Sequence, residues 1–309
     1  MVQGRAGGTG EERDVAAAAL TTAAVAIIAV SDNLMPFITD RIGLWQFHLM
    51  RAVLALAALA VAAAALGLDL RPRRPGAVVL RSLALAGAMI CYFASLAAVP
   101  VAVAAAGLFT APIFVLVISV ALLGERIGWR RSAAVAAGSL GVLLVVRPGG
   151  EAASWAALLP VAGGLCYGVA NLLTRRLCAD ESAAALTGAF MALMAVLCAL
   201  ALAVVPALAG GAGAADPALA FLIAPWRAPD AQVLAVVAVQ AAAVLSALVM
   251  LTRAYQIAET TRVAIFEYGF LPFATLWGWL LWQRVPDAVQ MAGIVLIVLA
   301  GIVILRRSR

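Results

Sequence analysis

Ten blocks of apolar residues, each about 20 residues long, follow one another along the chain with short polar segments between them. Since a helix rises about 1.5 Å per residue, each block can cross a hydrocarbon core roughly 30 Å thick. Strands of a membrane barrel would instead show regular polar alternation. The pattern therefore predicts an all-α membrane protein with ten transmembrane helices, at residues 15–38, 44–66, 77–98, 101–123, 131–147, 154–174, 183–206, 231–254, 262–282 and 287–305.

The composition agrees with this pattern. Hydrophobic residues make up 66% of the 309 residues and charged residues only 12%, whereas about a quarter of a soluble protein is charged. A net charge of +6 would suit a nucleic-acid partner, but all 21 basic residues are arginines in short clusters between the apolar blocks. Such clusters are typical of loops beside a membrane. We therefore expect the lipid bilayer, and no nucleic acid, as a partner.

The arginines also predict the orientation. If the N-terminus is cytoplasmic, sixteen arginines fall in cytoplasmic segments and one, Arg51, falls within a span. Cytoplasmic loops carry the excess of Lys and Arg, so both termini are predicted to be cytoplasmic in a bacterial-type inner membrane. The four arginines on the opposite side are Arg41, Arg147, Arg227 and Arg284.

The two halves of the chain match at an offset of 160 residues. Residues 107–127 align with 267–287, which places Pro112 on Pro272, and "GVLLVVR" aligns with "GIVILRR". Each half carries five spans, and because five is odd the second half enters the membrane from the opposite side. Inverted repeats are a feature of many secondary transporters. The predicted units are a polar tail, 1–14, and two five-helix repeats, 15–148 and 154–305.

Four stretches carry a resemblance to a known family: "FHLMRAVLA", "AAAGLFTAPIFVLVISVALLGERIGW", "GSLGVLLVVRP" and "FEYGFLPFATLWGWLLW". The chain resembles the drug/metabolite transporter superfamily, in its ten-helix form built from two EamA-type domains. The resemblance implies alternating-access transport of a small organic metabolite, with efflux of amino-acid-like or drug-like solutes as the expected task. It leaves open uptake of a vitamin or nucleoside-type metabolite. It further implies drive by protons, with Asp32 or Glu267 as the titrating group, and is compatible with a homodimer.

Three ionisable residues lie in the first two spans, and intramembrane charges are functional candidates by default. Asp32 precedes the turn near Arg41 by nine residues and Arg51 follows it by ten, so equal rise per residue places both at similar depth. His48 lies on the same helix face as Arg51. We expect these residues to bind or gate a solute, although for His48 taken alone a structural role is favoured. The alternative is a structural ion pair with Asp32, or an Arg51 that snorkels to the interface.

Prolines at matching positions of the two halves predict helix breaks in the fourth and ninth spans. Pro112 and Pro272 cannot donate the usual backbone hydrogen bond, and matching interruptions are the best sequence indication of a transporter's central site. Gly107 lies beside the first break. We expect these three residues to line a cavity.

Glu267 and Tyr268 lie beside the second break. We expect Glu267 to bind a cationic part of the solute or a coupling proton. The alternative is an ion pair with Arg262 near the inner interface.

The sequence lacks the motifs of other function classes. No Walker motif indicates ATP hydrolysis, and no His/Cys cluster or nucleophile elbow indicates a metal site or catalysis. We therefore expect neither an enzyme nor a cofactor. A lipid flippase stays an alternative to the metabolite transporter. The segment 207–230 is rich in Gly, Ala and Pro, which predicts a flexible loop.

Overall fold

In a computed structural model, the chain is helical wherever it is regular, and no strand occurs in the ranges described, which are 10–111, 114–115, 117–118, 129–146, 155–210, 215–257, 266–267, 269–283 and 286–306. These ranges contain eleven α-helices, in the order α1 Gly10–Asp32, α2 Leu44–Leu66, α3 Pro75–Ser95, α4 Val101–Leu108, α5 Trp129–Val146, α6 Leu159–Leu177, α7 Ala183–Leu208, α8 Pro217–Ile223, α9 Ala231–Ile257, α10 Phe270–Trp282 and α11 Ala288–Arg306. Short 3₁₀ helices occur at Met35–Phe37 and Trp155–Ala157.

Five of these helices are long and apolar enough to cross a membrane: α1, α2, α3, α7 and α9. Three shorter apolar helices, α6, α10 and α11, accompany them. Large aliphatic side chains such as Val61, Leu200 and Val249 are exposed on the long helices. Exposed apolar surface of this kind is typical of helices that lie against lipid. The prediction of an all-α membrane protein is confirmed at this level.

Helices of the first half pack mainly on helices of the second half. The long α1 lies against α9 and α10, α2 against α7, α3 against α6 and α7, and α5 against α11. The largest apolar cluster collects residues from both halves, including Phe47, Phe93, Phe221 and Leu271. The core is therefore the seam between the halves, and a residue buried there contacts both of them.

Glycines let α6 approach its neighbours closely. A Cβ on Gly163 would lie 3.1 Å from the carbonyl oxygen of Ala88 in α3, and one on Gly164 would lie 2.9 Å from that of Gly107 in α4. Small residues serve close helix packing in lipid in this way.

The predicted fourth span is not one continuous helix. The helix α4 ends at Leu108, residues 109–110 form a turn, and Ala111 is helical again. The Thr110 hydroxyl donates to the carbonyl oxygen of Gly107 at 2.6 Å, so a side chain provides a hydrogen bond to a carbonyl group at the end of the helix. Pro112, to which the prediction assigned the break, lies outside the described residues.

The ninth span is interrupted at the matching place. Phe266 and Glu267 are helical, Gly269 is a turn residue, and α10 begins at Phe270. Pro272 therefore lies in the first turn of α10, where backbone N–H groups have no partner within the helix in any case. The two turns are 160 residues apart, as the sequence repeat is.

The segment 207–230 was predicted to be flexible, and for residues 215–230 this is wrong. Asp216 caps α8, since its Oδ1 accepts a hydrogen bond from the backbone N–H of Leu219 at 3.0 Å, and Phe221 is fully buried. A capping carboxylate and a buried aromatic side chain outweigh the Gly/Ala/Pro composition. We call residues 216–230 the cap.

The cap closes over the connection between α1 and α2. Trp45 donates to the carbonyl oxygen of Leu222 at 2.7 Å, and the Gln46 amide exchanges two hydrogen bonds with the backbone of Arg227, at 2.6 and 2.9 Å. A Cβ on Gly43 would lie 2.8 Å from the Cβ of Ala224, so only glycine fits beneath the cap. We call this side of the bundle the cap end.

Candidate functional site

Asp32, His48 and Arg51 lie together inside the bundle, below the cap. Asp32 is the last residue of α1, while His48 and Arg51 lie in the first two turns of α2. Their exposed fractions are 3%, 0% and 3%. At 1.5 Å per residue, Arg51 is about 10 Å from the start of α2. An arginine this deep in an apolar helix is costly unless the protein provides partners for it.

Two aromatic rings and one ring nitrogen surround the Arg51 guanidinium. Its central carbon lies 4.6 Å from the centroid of Phe93 and 5.1 Å from that of Phe47. Nη2 lies 3.0 Å from Nδ1 of His48. Cation–π contacts of this kind stabilise a desolvated cation. Since Arg51 is only 3% exposed, it does not snorkel to the interface.

His48 is held in one tautomer by this contact. A guanidinium nitrogen can only donate hydrogen bonds, so Nδ1 must accept, and the proton of the neutral ring lies on Nε2. Nε2 is buried and has no hydrogen-bond partner among the described residues. The ring packs edge-on against Phe93, with centroids 5.0 Å apart. The site therefore contains a buried N–H donor without an acceptor.

Asp32 is bound by a tyrosine and not by the arginine. The Tyr92 hydroxyl of α3 donates to Oδ2 of Asp32 at 2.8 Å, and within the described part of the chain no ion pair joins Asp32 to Arg51. The two charges are near enough to act on each other. The alternative of a direct structural ion pair is therefore not realised. We call Asp32, His48, Arg51, Tyr92 and Phe93 the buried cluster.

A second-half helix adjoins the buried cluster through Ser31. The Gln240 amide of α9 donates to the backbone oxygen of Ser31 at 2.7 Å, and the Ser31 hydroxyl lies 3.3 Å from Oε1 of Gln240. Cys198 of α7 is buried in the same apolar cluster as Ala52, the residue that follows Arg51. The buried cluster is thus bounded by helices of both halves.

Sequence reasoning missed Tyr92, Phe93 and Gln240. A usable signal existed for two of them, because Tyr92 and Gln240 carry polar groups within otherwise apolar blocks. Phe93 gave no such signal. Its role depends on its position over Arg51, which the local sequence does not indicate.

Glu267 does not join the buried cluster. It is half-buried and its charge acts on the Tyr167 phenol of α6. Asn33, next to Asp32, contacts the carbonyl oxygen of Ala274, whereas Glu267 lies seven residues before Ala274, on the other side of the turn at Gly269. Tyr268 and Arg262, its proposed companions, lie outside the described residues.

Gly107 and Pro272 differ from their expected positions. A Cβ on Gly107 would lie 2.6 Å from the Cβ of Pro160, so the space beside this glycine is filled by α6. Pro272 is exposed on the outer side of α10, away from the seam. Neither residue therefore faces an open cavity in this structure, and the interruptions themselves occur at residues 109–110 and at Gly269.

A small cavity of about 60 Å³ lies at the cap end, between α1, α4, α10 and α11, next to the buried cluster. Asn33, Pro100, Thr275 and Trp282 contribute to its wall. The Trp282 indole donates to the backbone oxygen of Asn33 at 2.9 Å. Such a volume holds a few water molecules and is too small for a metabolite.

Comparison with known proteins finds similarity to membrane transporters. Residues 15–147 match the model of the EamA-like transporter family. The riboflavin transporter of Rhizobium johnstonii is 31% identical over 70% of this chain and 66% of its own length, or about two thirds of that relative. The pseudopaline exporter CntI of Pseudomonas aeruginosa is 31% identical over 72% of both chains.

More distant relatives agree. The S-adenosylmethionine uptake transporter of Rickettsia bellii is 24% identical over 76% of this chain and 74% of its own. A crystal structure that is 20% identical superposes with a TM-score of 0.65 over 94% of this chain and 98% of its own, which shows a shared fold. The chain therefore belongs to the EamA-like transporter family of the drug/metabolite transporter superfamily.

Proposed function

We propose that this protein is a secondary transporter that carries a small organic metabolite across the bacterial inner membrane by alternating access, with the buried cluster as the place where the solute binds. The observation that carries the proposal is the position of Arg51. Arg51 is 3% exposed and lies at the seam between the two halves. No carboxylate pairs directly with it in the described ranges, so its burial costs free energy. Intramembrane charges of this kind mark substrate pathways.

The proposed architecture has ten spans in two inverted five-helix repeats. The helices α1 to α3, the interrupted span that begins with α4, and α5 form the first repeat. The second consists of α6, α7, α9, α10 and α11, and α8 lies in a loop. The matching turns at residues 109–110 and Gly269 support this assignment, because interruptions at corresponding positions accompany inverted repeats.

We propose an orientation with both termini in the cytoplasm. The cap end then faces away from the cytoplasm, and the small cavity there corresponds to a closed outer entrance. Efflux of an amino-acid-like or drug-like solute is the proposed task. The pseudopaline exporter among the relatives supports this direction.

Uptake of a vitamin or nucleoside-type metabolite is the second candidate. The relatives that carry riboflavin and S-adenosylmethionine favour it. Both candidates use the same site, and the measured direction of flux separates them.

The first experiment compares metabolites inside and outside cells that express the wild type, Arg51→Ala or Arg41→Ala at equal membrane levels. Arg41 is the matched control, because it is an exposed arginine in the α1–α2 connection. We expect one solute to be redistributed by the wild type and by Arg41→Ala but not by Arg51→Ala. Equal redistribution by all three proteins would show that Arg51 is structural.

Proton coupling is tested with two carboxyl variants. Asp32 is the buried carboxyl of the cluster, and Glu267 is the half-buried carboxyl beside the second interruption. We propose that one of them exchanges the coupling proton. Transport by Asp32→Asn or by Glu267→Gln should then lose its dependence on the pH gradient, whereas an unchanged gradient dependence in both variants rejects coupling through these groups.

The flippase alternative has its own test. Liposomes that contain the purified protein and a fluorescent phospholipid would show lipid exchange between leaflets if the protein moved headgroups. We expect exchange no faster than in liposomes without protein. Faster exchange, abolished in Arg51→Ala, would favour the flippase.

A further inference from the structure

We propose that Nε2 of His48 donates a hydrogen bond to a carboxylate of the transported solute, and that the Arg51 guanidinium, on the opposite side of the imidazole ring, offsets the charge of that carboxylate. This inference rests on the function proposed above and specifies the chemistry of the same site. It begins from the unpaired Nε2, because a buried donor without an acceptor costs free energy that a merely structural histidine has no reason to bear.

The contact with Arg51 makes the orientation of His48 unambiguous. Nη2 lies 3.0 Å from Nδ1, and since Nδ1 accepts there, Nε2 carries the proton. A doubly protonated ring would place an N–H against an N–H. The histidine is therefore a donor at Nε2 whenever Arg51 is in place, and Arg51 acts as the group that positions it.

The complement of a buried donor near a cation is a negatively charged group that only accepts hydrogen bonds. An ionised carboxylate has acceptor oxygens and no donor, and its charge offsets that of the guanidinium. An amide adds a donor and has no charge, and an ammonium presents donors alone, which would face the N–H of His48 and the positive charge of Arg51. His48 and Arg51 together therefore select a carboxylate over an ammonium group of the same size.

The nearby carboxylate does not occupy this position. Asp32 accepts from Tyr92 at 2.8 Å and forms no ion pair with Arg51 among the described residues. Aromatic rings adjoin the donors, since Phe93 lies against both His48 and the guanidinium. A solute with a carboxylate next to an aromatic or other flat apolar body fits these surroundings.

Two substitutions separate the proposed role from a structural one. In His48→Asn, the side-chain oxygen can still accept from Arg51, but the donor at the position of Nε2 is lost. In His48→Gln, the longer amide can return a donor to that position. Both variants keep a polar side chain of similar volume, so their melting temperatures in detergent provide the control for folding.

The test uses three probes that share an aromatic body and differ in the polar end: phenylacetate, phenylacetamide and phenethylamine. Binding to the purified full-length protein is measured by calorimetry and by the shift in melting temperature. We expect phenylacetate to bind the wild type at least about tenfold more tightly than the other two probes, which is the ratio that 1.4 kcal/mol produces. This ratio should fall by at least about threefold in His48→Asn, where the Arg51 charge alone still favours the carboxylate, and recover in part in His48→Gln.

Equal binding of the three probes to the wild type, or an unchanged ratio in His48→Asn, would overturn the proposal. Its failure can be told apart from failure of the proposed function. Selective carboxylate binding by a protein that redistributes no metabolite would reject transport and keep the carboxylate site. Arg51-dependent transport together with an unselective His48 site would reject the carboxylate site alone.

Discussion

The buried cluster and the cap both contain arginine and aspartate, and the protein uses them differently. At the cap, Arg41 of the α1–α2 connection pairs with Asp230 at 2.8 Å, and the Gln46 amide of α2 hydrogen bonds to both backbone groups of Arg227. In the buried cluster, Arg51 and Asp32 form no ion pair in the described structure, and Nε2 of His48 has no partner there.

The difference is the reverse of what stability alone would favour. An exposed ion pair contributes little, whereas unpaired polar groups in an apolar interior are costly. The protein thus pairs its charges at the surface, where an ion pair adds little to stability. It leaves polar groups without partners in the interior, where the cost in free energy is highest. This is the pattern expected when one region is built for closure and the other for a ligand, and the four predictions below test it.

The largest expected effect is on transport by Arg51→Ala. Loss of charge-assisted hydrogen bonds of about 3 kcal/mol should lower the initial rate at subsaturating solute on the order of 100-fold. The melting temperature should change little, because removing a buried charge also removes its desolvation cost. Flux into membrane vesicles and thermal melting, measured on the same preparation, check this. A large fall in melting temperature with normal flux per folded protein would contradict it.

Asp32→Asn should have the next largest effect. Asparagine still offers Tyr92 an acceptor, so the fold is kept, but the negative charge near Arg51 is lost. We expect transport to fall roughly tenfold, which corresponds to about 1.4 kcal/mol. Tyr92→Phe is the matched control, since it removes the hydrogen bond and keeps the carboxylate. If Tyr92→Phe impairs transport more than Asp32→Asn does, the hydroxyl and not the charge is what matters.

Gln46→Ala should show the opposite profile. It removes two hydrogen bonds to the backbone of Arg227, which together contribute about 2 kcal/mol. The melting temperature should fall by roughly 4 °C, while flux per folded protein stays within about twofold of the wild type. Loss of flux without loss of stability would remove the distinction between the cap and the buried cluster.

The smallest effect is expected for Asp230→Asn. The backbone N–H of Val233 and the Arg41 guanidinium hold the pKa of Asp230 below its usual range. A lowered folded-state pKa stabilises the fold above the ordinary carboxyl range, and this contribution is lost as the pH falls through the folded value. Because the pair is exposed, the variant should differ from the wild type only slightly at neutral pH and not at all in acid. Melting curves across the acid range check the sign.

Local patterns were enough for the individual helices. The second span was predicted at residues 44–66 and observed at Leu44–Leu66, because glycines at both ends, Gly43 and Gly67, bound an unbroken apolar run. Gly67 adopts φ +64°, which glycine tolerates best. The first span was predicted at residues 15–38, and the part of the first helical segment that is long and apolar enough to cross a membrane is Val15–Phe37, although α1 itself begins at Gly10.

Contacts between distant segments could not be predicted in the same way. Ser31 and Gln240 are 209 residues apart, and no periodicity within either helix says that they meet. The cap was missed partly for this reason, because Phe221 is buried only by packing against distant helices. The capping of α8 by Asp216, in contrast, is a local contact. Proximity of Asp32 to Arg51 was open to prediction, since one short turn connects their helices. That Tyr92 rather than Arg51 binds the carboxylate depends on α3, beyond that hairpin.

The contact between Trp45 and the cap gives the molecule an optical signal of its own. Its indole donates to the Leu222 carbonyl at 2.7 Å and is half-buried. An outward opening that separates α2 from the cap would break this contact. Release of that indole into water would shift its fluorescence to longer wavelength. The difference in emission between the wild type and Trp45→Phe would then report the opening and closing of the cap in real time, without any attached dye.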